Sequence, residues 1–414
     1  MAESLRARAP PLLADPSFLR YWAGQSISAF GDAFAYVAYP LLVLDATGSV
    51  AAMGGVSAAF ALTQVLSGLV AGPLVDRSDR RRLMIACDLG RLVVYGVVPL
   101  VWWLHGPSLL LLYVTTVIGS ALGNLFSVGY VTATPDLVDR ERLTEANGKL
   151  QGTQGLAFVL GPILAGVVAS RFGSVWAIGI DALTFGVSAL TLTGLRFRRE
   201  GRASSEHAGA LLGLKFLVRQ PLLRAVTIVF VALSILSSGT IAAGILDVLI
   251  FHLRTTMGQG DHVVGVTLGL GAVGAVVGAL SAATLRRRFG FGACFIGATV
   301  IQGAALCSMG SSRDVAVLAF GAAVWTAGMS VRGVVTQTRR QELTPEALLG
   351  RVTAAFWTLA AVLAPLGAAM ITGAAARWGT APVFEWAGAL VLVIGMLGAL
   401  VILPADRRSL TQPS

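Results

Sequence analysis

YWAGQSISAFGDAFAYVAYPLLVL, residues Tyr21 to Leu44, carries a single charge, Asp32, about halfway along an otherwise uncharged stretch. About 20 apolar residues rising 1.5 Å each cover the hydrocarbon core of a bilayer, so this stretch is long enough to cross one. A carboxylate at that depth costs roughly 2.5 to 3.5 kcal/mol on insertion scales, and intramembrane charges therefore tend to mark function. The stretch predicts a membrane-spanning helix with a working group at its centre.

The rest of the chain repeats the pattern. Of 414 residues, 55% are hydrophobic and 13% charged, with a mean hydropathy of +0.77, whereas soluble domains carry about twice that share of charge. Uncharged runs predict twelve spans, near 20–44, 51–75, 83–104, 107–134, 147–170, 174–195, 225–250, 263–285, 289–312, 315–338, 352–376 and 380–403. They leave no room for a soluble catalytic domain. Each span must satisfy its own backbone polar groups in lipid, so the fold class is an all-α membrane bundle.

The net charge of +10 follows topology, not nucleic acid. Threading twelve spans puts all but four of the 31 Lys and Arg on the side of both termini; the exceptions are Arg171, Arg254, Arg313 and Arg377. Basic loops stay cytoplasmic, so both termini are expected there and the first span reads as a retained signal anchor. The expected organisation is a cytoplasmic tail (1–19), a six-helix bundle (20–195), a basic linker with a short interfacial helix (196–224), a second six-helix bundle (225–403) and a cytoplasmic tail (404–414). Cys87, Cys294 and Cys307 all fall inside spans and read as packing. The four histidines are scattered without metal-ligand spacing, and no cofactor pattern appears.

The strongest local signal is Gly72-Pro-Leu-Val-Asp76-Arg77-Ser-Asp79-Arg80-Arg81-Arg82, between spans two and three. A short loop here holds carboxylates and arginines at a helix junction, the chemistry of a latch that favours one conformation. The segment resembles the signature of the major facilitator superfamily, Gly-x-Leu-x-Asp-Arg-x-Gly-Arg-Arg, with Asp79 where a glycine is usual. The form is similar to the exporter branch that includes enterobactin and macrolide efflux carriers. Gly31-Asp32, Tyr39-Pro40-Leu41-Leu42, Asp88, Arg91 and Pro135-Asp136-Leu137-Val138 extend that likeness. Ala157-x3-Gly161-Pro162-x2-Ala165-Gly166 resembles the helix-five antiporter motif, with alanine at two glycine positions. The resemblance implies two six-helix bundles that rock around a central site, and export as the direction of transport.

Inside the spans, Gln25, Asp32, Tyr36 and Tyr39 fall within a narrow arc of one helix at about 100° per residue. Such a stripe must face the bundle interior or water, which makes Asp32 a candidate proton or substrate site. Asp88 and Arg91 form an i, i+3 pair that reads with Asp76 and Arg77 as a gating network. Asp45, Asp181, Asp247 and Glu385 are placed toward the outer span ends, as interfacial carboxylates or as attractors of cationic cargo. Arg332, two turns inside span ten, is expected to bind an anionic group, to pair with a carboxylate or to snorkel. Trp325 and Trp357 lie mid-span as candidate cavity aromatics, with packing toward lipid the favoured reading for each.

Neither Lys149 nor Lys215, the chain's two lysines, stands in a phosphate-binding loop, so ATP is not the expected energy source. The expectation is a proton-coupled exporter of amphipathic small molecules, monomeric, in the inner membrane of a bacterium, with sodium coupling still open. An uptake permease of the same fold is the alternative, and a transport-inactive sensor or assembly factor is the reading from another class. No nucleophile, acid–base pair or metal cluster points to an enzyme.

Overall fold

The computed structural model describes residues 12–138, 142–195, 210–235 and 244–411, and among them every regular element is a helix. The first half comprises α1 (Pro16–Thr47), α2 (Val50–Arg77), α3 (Arg80–His105), α4 (Leu109–Leu137), α5 (Leu143–Phe172) and α6 (Ser174–Thr193). These are the six predicted spans in order. Local chemistry sets their ends. Asp15 caps α1 by accepting from Ser17 N at 2.8 Å, with Pro16 in the first turn. Gly48, at φ 62°, ends α1 in the left-handed region that L side chains avoid, and Ser49 then caps α2.

Asp79 explains its own departure from the family signature. It is extended (φ −68°, ψ 110°), a conformation that asks for no glycine, and its side chain caps α3 by accepting from Arg82 N at 3.0 Å.

The second half differs from the even spacing expected. Span seven arrives in two pieces, α8 (Pro221–Ser234) and α9 (Ile245–Phe251), the latter continued by a wide turn over His252–Thr256. Gly244 (φ 90°, ψ −74°) cannot extend a helix, so α9 begins afresh there. Before it, α7 (Ala210–Arg219) meets α8 at 102° and does not prolong it. Leu217 of α7 packs with Phe230, Val352 and Phe356. Spans eight and nine run together over α10 (Asp261–Ser311), which is two helices separated at the non-helical Gly290 (φ 79°, ψ 172°), beside the expected loop over 286–288. After α11 (Val315–Leu343), span eleven breaks into α12 (Glu346–Val362) and α13 (Ala364–Trp378) at Ala364-Pro365, where proline removes a backbone donor. The last helix is α14 (Thr380–Thr411). The tails expected at 1–11 and 412–414 and the linker stretch 196–209 lie outside the described residues.

Among the described residues, nine of these helices are individually long and apolar enough to cross a bilayer, and α12 with α13 together supply a further span over Arg351–Trp378. Their outward faces carry exposed leucines such as Leu280 (77%), as lipid contact requires. Within the first half, α1 packs on α5 and α6, and α3 packs on α4 and α6; within the second, α10 packs on α11 and α14. The halves meet through α5 against α10 and α2 against α13.

Glycine makes these seams. On α10, Gly265 and Gly269 face α5, while Gly274 and Gly278 face α11. A Cβ on Gly278 would stand 2.7 Å from the Ala327 Cα, against backbone that cannot yield. Lipid offers no hydrophobic drive for helix pairing, so such backbone-close packing carries much of the association. Gly278→Leu should therefore cost about 1–3 kcal/mol or more through overpacking. The expected readout is a lower melting temperature of purified protein; an unchanged melt would show that α10 and α11 separate freely there.

Candidate functional site

A cavity of about 410 Å³ runs through the first half and reaches α9. Its wall follows the predicted α1 stripe: Gln25, Asp32, Tyr36 and Tyr39 all line it. The lining also takes in Arg91 and Tyr95 from α3, Asp181 from α6 and Asp247 from α9. The lining extends from Pro40 and Val43, near the end opposite the termini, to Tyr130, Leu150 and Gln154 toward the end that bears them.

The central contact is an ion pair. Arg91 Nη2 donates to Asp32 Oδ1 at 2.5 Å, joining α3 to α1. The Asp32 side chain is 51% exposed to the cavity, whereas Arg91 is 9% exposed. The Arg91 guanidinium also lies over the Phe185 ring, 3.6 Å from its centre. The cation is thus held by a carboxylate on one side and an aromatic face on another. Arg91 belongs to the cavity and serves Asp32, not the i, i+3 partner read from sequence. Asp88 is fully buried, and neither of its carboxylate oxygens has a hydrogen-bond partner.

Asp181 is the residue whose place the sequence misjudged most. It is buried in the cavity wall and not at an outer interface, with its Oδ1 unpartnered. Gly31 makes room for it: a Cβ there would stand 2.6 Å from Asp181 Oδ1. Asp247 is buried too, accepting from Gly244 N at 3.4 Å at the start of α9. Around these charges, Gln25 Nε2 donates to Ser188 Oγ at 3.0 Å, and the Tyr39 hydroxyl bonds Thr115 Oγ1. Tyr95 sits between Tyr39 and Phe185, with ring centres 6.0 and 5.8 Å away. Tyr95 lies one turn beyond Arg91 on α3, a spacing that the sequence reading passed over.

The end opposite the termini is closed by polar and backbone contacts between the halves. Arg254 donates through Nη2 to Asp45 Oδ1 at 3.0 Å and through Nη1 to Asp261, so it bridges α1 to the start of α10. Ser174 holds the other Asp45 oxygen at 3.2 Å. Beneath them, a Cβ on Gly166 of α5 would stand 2.9 Å from Gly265 Cα. Gly161 meets Ala33 of α1, and Pro162 lines a neighbouring cavity. The helix-five motif therefore touches α1 inside its own half and α10 across the seam. Glu385, on α14, is exposed and outside this cluster.

At the end with the termini, Arg80 pairs with Asp136, and Arg81 donates to the Thr193 carbonyl. Arg286 and Arg339 share Glu342, and Arg339 also reaches Asp406. Apart from Arg339–Glu342, which lies within α11, each of these joins helices of one half. Gly72, Asp76 and Arg77 close α2, and their side-chain surroundings lie outside the described residues. Arg332 is buried and bonds Gln302; among the described residues it pairs with no carboxylate, and it is enclosed rather than reaching an interface. Trp325 and Trp357 line a second cavity, against the expectation of lipid packing.

Known proteins share this architecture. The multidrug efflux pump Tap of Mycobacterium tuberculosis is 33% identical over 205 residues, 48% of each chain, so the present chain spans about half the length of that relative. The enterobactin exporter EntS of Citrobacter koseri is 25% identical over 414 residues, covering 97% of this chain and 95% of that one. A bacterial homologue of the iron transporter ferroportin, solved in an inward-facing state, superposes with a TM-score of 0.71 at 19% identity, over 94% of this chain and 98% of its own. Residues 21–368 match the Major Facilitator Superfamily, and this multi-pass helical membrane protein belongs to it.

Proposed function

We propose that the chain is a secondary active exporter of amphipathic, drug-like or siderophore-like small molecules, driven by proton movement through alternating access. The observation that carries this reading is the Asp32–Arg91 pair, an ion pair on the wall of a cavity that reaches toward one end of the bundle and is sealed at the other. Tyr36, Phe60 and Phe158 beside charged groups suit cargo with an apolar body and a polar handle. The names of Tap and EntS support export of such cargo, and the family supports alternating access. The cavity is built within one chain, which supports a monomer as the working unit.

In the proposed cycle, Asp32 is the coupling group. A proton arriving on its carboxylate removes the charge that holds Arg91. The unpartnered Asp181 oxygen in the same wall then offers the cation a second acceptor. Cargo and proton thereby compete for one small network, the minimum that antiport needs. Opening of the opposite end requires the Arg254–Asp45 contact to part, because it ties the two halves there.

Orientation follows from charge. With all but four Lys and Arg on the side of the termini, that side is cytoplasmic in a bacterial inner membrane and the cavity faces inward. Reporter fusions at Ser205 and Ser414 should both read cytoplasmic, and a fusion after His105 external. A cytoplasmic signal at His105 would reverse the threading.

Asp32→Asn keeps shape and hydrogen bonding yet cannot ionise, and it should insert normally. In vesicles with an imposed pH gradient it should lose gradient-driven transport and its pH dependence, while downhill exchange survives. Full gradient-driven transport by this variant would remove Asp32 as the coupling site.

A further inference from the structure

The second half holds a cavity of its own, about 340 Å³, and its chemistry is opposite to that of the first. Phe230, Trp325 and Trp357 line it, and Tyr36 and Phe158 are shared with the Asp32 cavity. Its one charged lining residue is Arg332.

Arg332 is 4% exposed and lies in the middle of α11. Its Nη1 donates to Gln302 Oε1 at 2.7 Å, its guanidinium carbon is 5.4 Å from the centre of the Phe230 ring, and its Nε has no partner. Among the described residues, no carboxylate lies within ion-pair distance of it. Arg91, Arg254 and Arg339 each hold a carboxylate; Arg340 shows none among the described residues but lines neither cavity, so Arg332 is set apart by facing open space. Gln302 is itself fixed, since its Nε2 donates to the Trp325 carbonyl at 3.2 Å and leaves Oε1 for Arg332. A glutamate at 302 would neutralise the cation in the same space, yet the chain carries the neutral amide.

A buried cation without a counter-charge is costly, and a neutral amide with one ring face offsets only part of that cost. Snorkelling is not the escape, because the guanidinium is enclosed. Because Arg332 lines the cavity, an anion from outside the chain would complete the site. A guanidinium presents a flat fork of donors suited to a carboxylate-like group, and the surrounding rings suit an aromatic body.

We infer that this cavity is a subsite for aryl anions: an aromatic ring held among Phe230, Trp325 and Trp357, with an attached carboxylate on Arg332. Its role as a cargo site rests on the transport reading above; the binding itself does not. Together the two cavities offer carboxylates to one end of an amphipathic molecule and a lone arginine to the other.

The test is equilibrium dialysis of labelled 1-naphthoate against the full chain in lipid nanodiscs, with protein-free nanodiscs subtracted. Matched 1-naphthamide reports the ring without the charge. Wild-type protein should prefer naphthoate by at least about tenfold, the scale of one charge-assisted hydrogen bond. Arg332→Gln should abolish that preference, Arg332→Lys should retain part of it, and naphthamide binding should stay within about twofold throughout. Gln302→Glu supplies an internal counter-ion at the existing contact, so it removes the preference without emptying the site. It therefore decides the question even where Arg332→Gln folds poorly. Equal binding of the two probes by wild type, or a preference that survives Gln302→Glu, overturns the subsite. No gradient enters this measurement. Naphthoate preference in a chain that drives no transport would overturn the exporter and leave the subsite standing, and gradient-driven export without the preference would do the reverse.

Discussion

A charge carried into hydrocarbon must find water, a counter-charge or an aromatic face, and the interior of this chain is arranged around that requirement. Asp32 meets it with Arg91 and with the cavity; Arg91 meets it again with the face of Phe185. That pair ties α1 to α3 across the cavity and fixes which faces of both helices turn inward. Gly31 then follows as a necessity, since the same stretch of α1 must admit Asp181 from α6. Three helices are thus oriented by three ionisable side chains, and the apolar faces left over are the ones that meet lipid.

The seams between helices answer a different constraint. Apolar side chains gain little by leaving lipid for each other, so close backbone approach and a few polar contacts do the joining. At the contact of α5 with α10 both elements are small: Gly166 meets Gly265, and the Pro162 and Val159 carbonyls face Gly265 and Gly269. The polar share is Arg254, which bridges Asp45 and Asp261 at the sealed end. A seam built this way has few interlocking side chains to unpick. Its strength is concentrated in one arginine and a strip of glycine, which suits an interface that has to part and close again.

The architecture was readable because lipid imposes a length and a charge rule that twelve runs obey. Tyr21–Leu44 announced α1 and its inward stripe correctly, because period 3.6 alone puts Gln25, Asp32, Tyr36 and Tyr39 on one side. Breaks were less legible: Ala364-Pro365 carried a visible signal within span eleven, but Gly244 at the start of α9 and Gly290 between spans eight and nine are two glycines among 49, and only backbone angles single them out. Depth was misread for Asp181 and Asp247, since distance along a span says nothing about which neighbour a side chain meets. Arg91 was assigned to Asp88 for the same reason: sequence shows the partner three residues away and hides the one on another helix. The lone state of Arg332 was invisible, because being unpaired is a property of everything around it.

These placements also bear on why one helix carries the family motif. α5 reaches Ala33 through Gly161, one residue from Asp32, and reaches α10 through Gly166. Beside those contacts it contributes Phe158 to both cavities and Pro162 to the second. A shift of α5 against α10 therefore alters the partition between the two cavities and the packing beside Asp32 in one movement. In the proposed cycle, the charge state at Asp32 and the closure at Arg254 need no separate relay, since α5 is a packed, continuous element that touches the neighbourhood of both. Proline at 162 leaves one α5 carbonyl without its usual intrahelical donor, and this softens the helix beside its Gly161 anchor. In the proposed cycle the bend is available beside one of the two seams along which the halves move relative to each other.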